Sequence, residues 1–236
     1  MRFLMSWIRE LLEGVGNSGW PPAIAPHSSS PVRVWYMGAS FSNVPTSHRA
    51  DGPRTAEWLS MIWSYYGNIV CPDGEPGDML ENFEGYATKN IDRDTLNNEL
   101  SELQDAAVLE FFGDAFGESS TGDSVAINRA VAHLTRMGTR ARKTYFIQYP
   151  PLEPAYGTSL LVSAPELTVE TWNAWRNRYK AAMELAGHTE IVAYYDWVPT
   201  LRPIANPPGT LDYHAKSISC YDAANRISQA VLAGVA

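Results

Sequence analysis

Apolar and polar positions follow two alternating periods along this chain. Val32-Arg33-Val34-Trp35-Tyr36-Met37 is β-branched and aromatic, and Asn68–Cys71, Ala106–Phe112, Lys143–Tyr149 and Glu190–Tyr195 repeat that character. Short apolar runs bounded by Gly, Pro and Asp predict buried strands. Between them the spacing becomes helical. Arg54 to Tyr66 carries Ala56, Leu59, Ile62, Trp63 and Tyr66 on one stripe, and Ser124 to Met137 carries Ile127, Val131 and Leu134. Thr168 to Ala186 repeats Trp172, Trp175, Tyr179, Ala182 and Met183, and Ser217 to Ala233 repeats Ile218, Tyr221, Ala224, Ile227 and Val231. Met79, Leu80, Phe83 and Tyr86 outline a further helix face, and Asp92 to Leu103 another, with Leu96, Leu100 and Leu103 inward. Strands alternating with amphipathic helices predict an α/β fold, a three-layer α/β/α sandwich with a central parallel five-stranded sheet and right-handed crossovers.

The first 31 residues stand apart from that alternation. Residues 2–14 place Leu4, Ile8, Leu11 and Val15 at helical spacing, with Arg2, Arg9, Glu10 and Glu13 on the opposite side. Trp20-Pro21-Pro22 to Ser28-Ser29-Ser30-Pro31 reads as an extended linker. Residues 1–31 are therefore expected to form an N-terminal amphipathic helix and a Pro/Ser-rich linker, and 32–236 the main domain. The helix either packs back on that domain or docks it to another subunit or assembly. Arg9 and Glu10 cut the first apolar run too short for a signal peptide. No stretch approaches the ~20 apolar residues of a membrane span, and the sequence assigns no localisation.

Composition narrows the function classes. The chain has 236 residues, 45% hydrophobic and 19% charged, an ordinary balance for a domain with a full core. A net charge of -8 argues against a nucleic-acid surface. Eight Trp and twelve Tyr suit a core as well as a sugar or lipid site. Cys71 and Cys220 lie far apart and read as two buried thiols. His27, His48, His133 and His188 are scattered and read as surface or capping residues. No Cys/His cluster suggests a metal, and no cofactor is expected.

Ligands of a doubly wound sheet bind outside the carboxyl ends of the strands. Four loops are expected to gather there: Gly38-Ala39-Ser40, Asp73-Gly74-Glu75-Pro76-Gly77, Gly113-Asp114-Ala115 and Asp212-Tyr213-His214. Together they offer a serine hydroxyl, glycine amides and an Asp/His pair. Those are the parts of acyl transfer: a nucleophile, a base near neutral pKa, a carboxylate to orient the base and N–H donors for an oxyanion. A strand followed by Gly-x-Ser is, by itself, also an ordinary turn.

In order and spacing these segments resemble the SGNH hydrolases, the GDSL-type lipases and esterases, from about Val32 to Val235. Gly38-Ala39-Ser40 resembles the block that carries the nucleophile. Gly74-Glu75-Pro76-Gly77-Asp78 resembles the second block, whose glycine amide serves the oxyanion hole. Val108–Gly113 resembles the strand before the third block, and Phe146–Pro151 the strand that ends in prolines. Asp212-Tyr213-His214, with Tyr221 beyond, resembles the last block. The resemblance implies a flavodoxin-like SGNH hydrolase fold, Ser40 as nucleophile, His214 as base, Asp212 as its orienting carboxylate, and the amides of Ser40 and Gly77 as oxyanion donors. It implies hydrolysis of a carboxylic ester, of acetylated carbohydrate or lipid, through an acyl-enzyme. The aromatic loop Tyr149 to Tyr156 and Trp197 would wall the pocket.

Three positions depart from the family pattern. Ala39 replaces the usual aspartate. Asp114-Ala115 replaces the oxyanion asparagine: Ala115 has no side-chain donor, and Asp114 repels an oxyanion unless protonated. Asp212-x-His214 replaces Asp-x-x-His; residues two apart in an extended segment still share a side. Asp212 could instead cap the following helix. Departures of this kind also suit a catalytically weakened domain that serves as a binding or structural module of a larger assembly, such as a virus particle. A nucleotide or flavin binder on the same sheet type would need a phosphate-cradling loop after the first strand, and that loop is missing.

Overall fold

Val32–Met37 forms β1, the strand its β-branched and aromatic run predicts. The computed structural model describes residues 32–37, 55–66, 69–70, 103–110, 121–148, 151, 168–194, 201–204, 210–215 and 217–235. The remaining elements are α1 (Thr55–Tyr66), β2 (Ile69–Val70), β3 (Gln104–Glu110), α2 (Val125–Gly138), β4 (Ala141–Ile147), α3 (Val169–Leu185), β5 (Thr189–Ile191), β6 (Leu201–Ile204), β7 (Thr210–Ala215) and α4 (Ser217–Val235). The N-terminal helix and linker, the helix faces at 79–86 and 92–102, and Cys71 lie outside the described residues.

β1 to β5 pair in parallel in the order β2-β1-β3-β4-β5. Four strands carry the main ladder, and β2 adds two residues at the edge of β1. The order reverses between β1 and β3, the switch point at which such sheets open a crevice. Register sorts the faces. Tyr36 pairs with Val108, Val108 with Tyr145, and Glu110 with Ile147, so these residues share one face. Leu109 pairs with Phe146 on the other.

α1 and α4 cover the first face. The Trp63 indole donates to Ser228 Oγ at 2.8 Å, and Trp58 meets Tyr221 edge-on at 5.1 Å. α4 lies close against the sheet: a Cβ added at Gly234 would stand 1.8 Å from Tyr145 Oη. α2 and α3 cover the second face, where Phe146 packs edge-on against Tyr179 at 5.6 Å. Trp172, Trp175 and Tyr179 stack along α3, with centroids 5.7 and 5.4 Å apart. Their spacing of three and four residues puts all three on one helical stripe, and all are buried. A capping box starts α3: Thr168 Oγ1 accepts the Thr171 amide at 3.0 Å, and Thr171 Oγ1 accepts the Thr168 amide at 2.9 Å.

Several expectations change. β5 ends at Ile191 rather than running to Tyr195. Among the described residues it pairs with β4, and that ladder stops at the Ile147–Ile191 pair. Leu103, expected inward on a helix, is exposed outside any helix and directly precedes β3. His133 and His188 are buried, not surface residues. Leu201–Ile204, in a stretch that also holds Pro199, Pro207 and Pro208, forms β6, which pairs antiparallel with β7. Pro203 is tolerated there because this two-stranded ribbon is all edge. Among the described residues no helix is long and apolar enough to cross a membrane.

Candidate functional site at the carboxyl edge of the sheet

The carboxyl ends of β1 and β3 lie side by side at the switch point, and a buried carboxylate occupies the end of β3. Glu110 is 0% exposed. Tyr36, one residue from the end of β1, donates its phenol hydroxyl to Glu110 Oε2. Tyr194, just past β5, donates to Glu110 Oε1 at 3.0 Å. Thr55 Oγ1, in the first residue of α1, lies 2.6 Å from Tyr194 Oη. Because the Tyr194 proton goes to Glu110, the threonine hydroxyl is the donor of that pair. Three hydroxyls thus run in one direction toward one carboxylate. Burial, and then the Glu110 charge, push the Tyr179 phenol well above its usual pKa.

These residues join elements far apart in sequence. Tyr36 is 74 residues from Glu110, and Thr55 is 139 from Tyr194. A carboxylate in an apolar interior is costly unless both oxygens accept hydrogen bonds, which the two phenols provide here. Sequence reasoning treated Glu110 as a strand position only. The available signal was a lone charged residue inside the apolar run Ala106–Phe112.

Thr55, the first residue of α1, meets Tyr194 and through it Glu110 at the end of β3, so α1 begins at the carboxyl edge. Trp58 near its start faces Tyr221 near the start of α4, and Trp63 meets Ser228 one to two turns further on. The two helices run side by side in one direction, so α4 also begins at that edge. β7, which carries Asp212 and His214, ends one residue before α4.

Asp212-Tyr213-His214 belongs to a strand rather than the expected loop. Arg202 pairs with Asp212 and Leu201 with Ala215, so the register shifts and Tyr213 and His214 fall in the shift. A bulge interrupts the strict backbone alternation on which the two-residue rule rests. Ser40, Gly77, Asp114 and Ala115 lie outside the described residues, as do Tyr149–Pro150, Leu152–Tyr156 and Trp197.

Elsewhere the buried histidines sit between α2 and the sheet. His188 Nδ1 lies 2.8 Å from Thr144 Oγ1 and its Nε2 3.2 Å from Thr135 Oγ1. Burial lowers its pKa, against a Val131 backbone hydrogen bond that raises it. Burial, with Arg136 nearby, lowers His133 to about 4. Both belong to the packing of α2 on the sheet. Cys220 is a buried free thiol. Among the described residues no three His, Cys, Asp or Glu side chains gather as a metal site.

The sequence matches no protein-family model and no curated protein sequence. In structure the chain is similar to LAE5, an α/β hydrolase enzyme from the metagenome of Lake Arreo, Spain, with a TM-score of 0.51 at 7% identity, over 90% of this chain and 100% of that one. An acetylxylan esterase from Geobacillus stearothermophilus, solved as a catalytic mutant, aligns with a TM-score of 0.47 at 10% identity, over 86% and 94% of the two chains. A GDSL-like lipase structure from Parabacteroides merdae aligns with a TM-score of 0.49 at 11% identity, over 87% and 99%. The likeness to LAE5, together with the strand order and the two helix layers, identifies the fold of this chain as a three-layer α/β/α architecture.

Proposed function

We propose that this chain is a serine esterase of the SGNH type. The observation that carries the reading is the strand order β2-β1-β3-β4-β5, which sets the carboxyl ends of β1 and β3 together at the switch point. Ser40 follows Met37 by three residues, a reach of about 11 Å at most. His214 precedes α4 by three residues, and α4 starts at the same edge. The motif order of the sequence and the edge reached by β1 and α4 therefore agree.

In this reading Ser40 Oγ attacks the ester carbonyl. His214 takes the serine proton and returns it to the leaving alcohol, leaving an acyl-enzyme that water hydrolyses by the reverse proton path. The amides of Ser40 and Gly77 hold the oxyanion, and Asp212 orients His214. With Ala115 in the place of the family asparagine, the hole has one side-chain donor fewer, a loss of about 3 kcal/mol of transition-state stabilisation where such donors have been removed. Turnover is accordingly slow for the class. The substrate is a carboxylic ester of a carbohydrate or a lipid, held without a cofactor.

The test is p-nitrophenyl acetate hydrolysis together with covalent labelling by a fluorophosphonate. The parent protein is expected to label at Ser40 and to turn over the ester. Ser40→Ala loses labelling and on the order of 10³-fold or more of turnover. A parent protein that neither labels nor turns over sinks the esterase reading.

A further inference from the structure

The geometry points to Glu110 as a positioning residue that ties both ends of the segment carrying Ser40 to the core of the sheet. This inference rests on the esterase reading for its catalytic consequence. Its structural basis is independent of that reading. Tyr36 stands four residues before Ser40 and Thr55 opens the helix that follows it. Tyr36 is bonded to one oxygen of Glu110. Thr55 is bonded to Tyr194, which is bonded to the other oxygen. One carboxylate on β3 therefore receives the chain as it leaves β1 and as it re-enters at α1.

The chemistry explains the choice of groups. A carboxylate accepts on both oxygens and donates on neither, so two phenol donors can bind it at once without competing. A methionine in its place keeps the volume and offers neither phenol a strong acceptor, so both ties are lost. All of Tyr36, Thr55, Glu110 and Tyr194 are buried, so the cluster holds its geometry away from water. No other pair of described elements brackets the 38–54 segment, and the cluster lies on the α1/α4 face at the edge where the candidate site opens. Each hydroxyl also has a fixed place in the relay, so the links can be removed singly. Tyr36→Phe cuts the entry tie, and Thr55→Val cuts the exit tie.

The test compares the parent protein with Glu110→Met, Tyr36→Phe and Thr55→Val by two readouts. One is hydrogen exchange of the amides in 38–54 relative to those of β3 and β4. The other is the rate of fluorophosphonate labelling at Ser40, with kcat and KM for p-nitrophenyl acetate. In Glu110→Met, exchange in 38–54 rises at least tenfold while β4 amides hold within twofold. Labelling and kcat fall at least tenfold and KM stays within twofold. The two single-hydroxyl variants, which keep their packing shapes, give smaller changes of the same sign. Unchanged exchange in all three variants overturns the tie. A parent that labels at Ser40, beside variants that label equally fast, overturns the positioning role and leaves the esterase reading standing. A parent that does not label removes the esterase reading, and the catalytic role of Glu110 with it.

Discussion

The two edges of the sheet treat buried polar groups in opposite ways. At the carboxyl edge a carboxylate accepts hydroxyls from β1 and from the segment after β5, and a threonine of α1 donates to the second of them. Toward the amino edge His188, one residue before β5, lies between threonines of β4 and α2. The first arrangement supplies donors alone and suits an acceptor-only group. The second suits a neutral imidazole, which has one donor and one acceptor nitrogen, and burial holds it in that form. The difference teaches which end of the fold is specialised. The amino edge uses polar groups to lock a helix to the sheet. The carboxyl edge uses them to join three elements around the switch point, where the candidate site lies.

Breaking the carboxyl-edge cluster is expected to have the largest effect on stability. Glu110→Ala removes the acceptor of two buried phenols and leaves a cavity, so chemical denaturation should show a loss of about 4 kcal/mol. Glu110→Met should lose about 3 kcal/mol by the same measurement, since it keeps the volume but accepts from neither phenol. A negligible loss in Glu110→Met would mean that the cluster contributes by volume and not by its hydrogen bonds.

Acid tests the opposite side of the comparison. His133 has a pKa of about 4 in the folded chain, below the ordinary 6.5, chiefly through burial and secondarily through Arg136. The unfolded chain therefore binds a proton between pH 6.5 and 4 that the folded chain refuses. Stability should be level in this respect above pH 6.5, fall as the pH drops through that window, and flatten below about 4. Integrated over the shift, the loss is about 3 kcal/mol. Urea unfolding at a series of pH values checks it, and His133→Leu should flatten the slope. His188, also shifted downward, adds to the same slope with the same sign.

Smaller effects separate packing from surface charge. His188→Leu should cost about 1–2 kcal/mol through the two threonine hydrogen bonds, more of it at Thr144 than at the exposed Thr135. Lys180, half-buried and paired with Glu184 at 3.6 Å and with Glu190, marks the lower bound. Lys180→Ala should shift stability by about 0.5 kcal/mol and less in high salt, as partly exposed pairs do. A salt-independent loss above that would place the Lys180–Glu190 pair with the buried clusters.

The strands and helices of the sheet were legible in the sequence because their signals are local. Period-2 and period-3.6 patterns depend on neighbours a few residues apart, and α3 with its Trp172, Trp175, Tyr179 and Met183 stripe follows directly from them. The short extent of β5 was not legible, because a strand ends where its partner ends, and β4 stops at Ile147. Leu103 failed for a related reason: an apolar residue at helical spacing says nothing of whether a helix reaches it. Asp212 and His214 were recognisable as a pair by residue type and order. Their setting in an antiparallel ribbon with a register shift depends on Leu201–Ile204, a four-residue segment whose proline weakens any local strand signal.

By itself the sequence determined the α/β class, the alternation of elements and the chemical inventory of serine, glycines, aspartate and histidine. The tertiary structure decided the strand order, which set β1 and β3 together, and it decided that Glu110 is buried. A charged residue in an apolar strand has no local reason to be inside. It becomes stable there only when Tyr36 and Tyr194, 74 and 84 residues away in the chain, deliver their hydroxyls to it. Local propensity cannot encode that delivery, because it depends on which strands become neighbours, and that follows from burying both faces of the sheet at once.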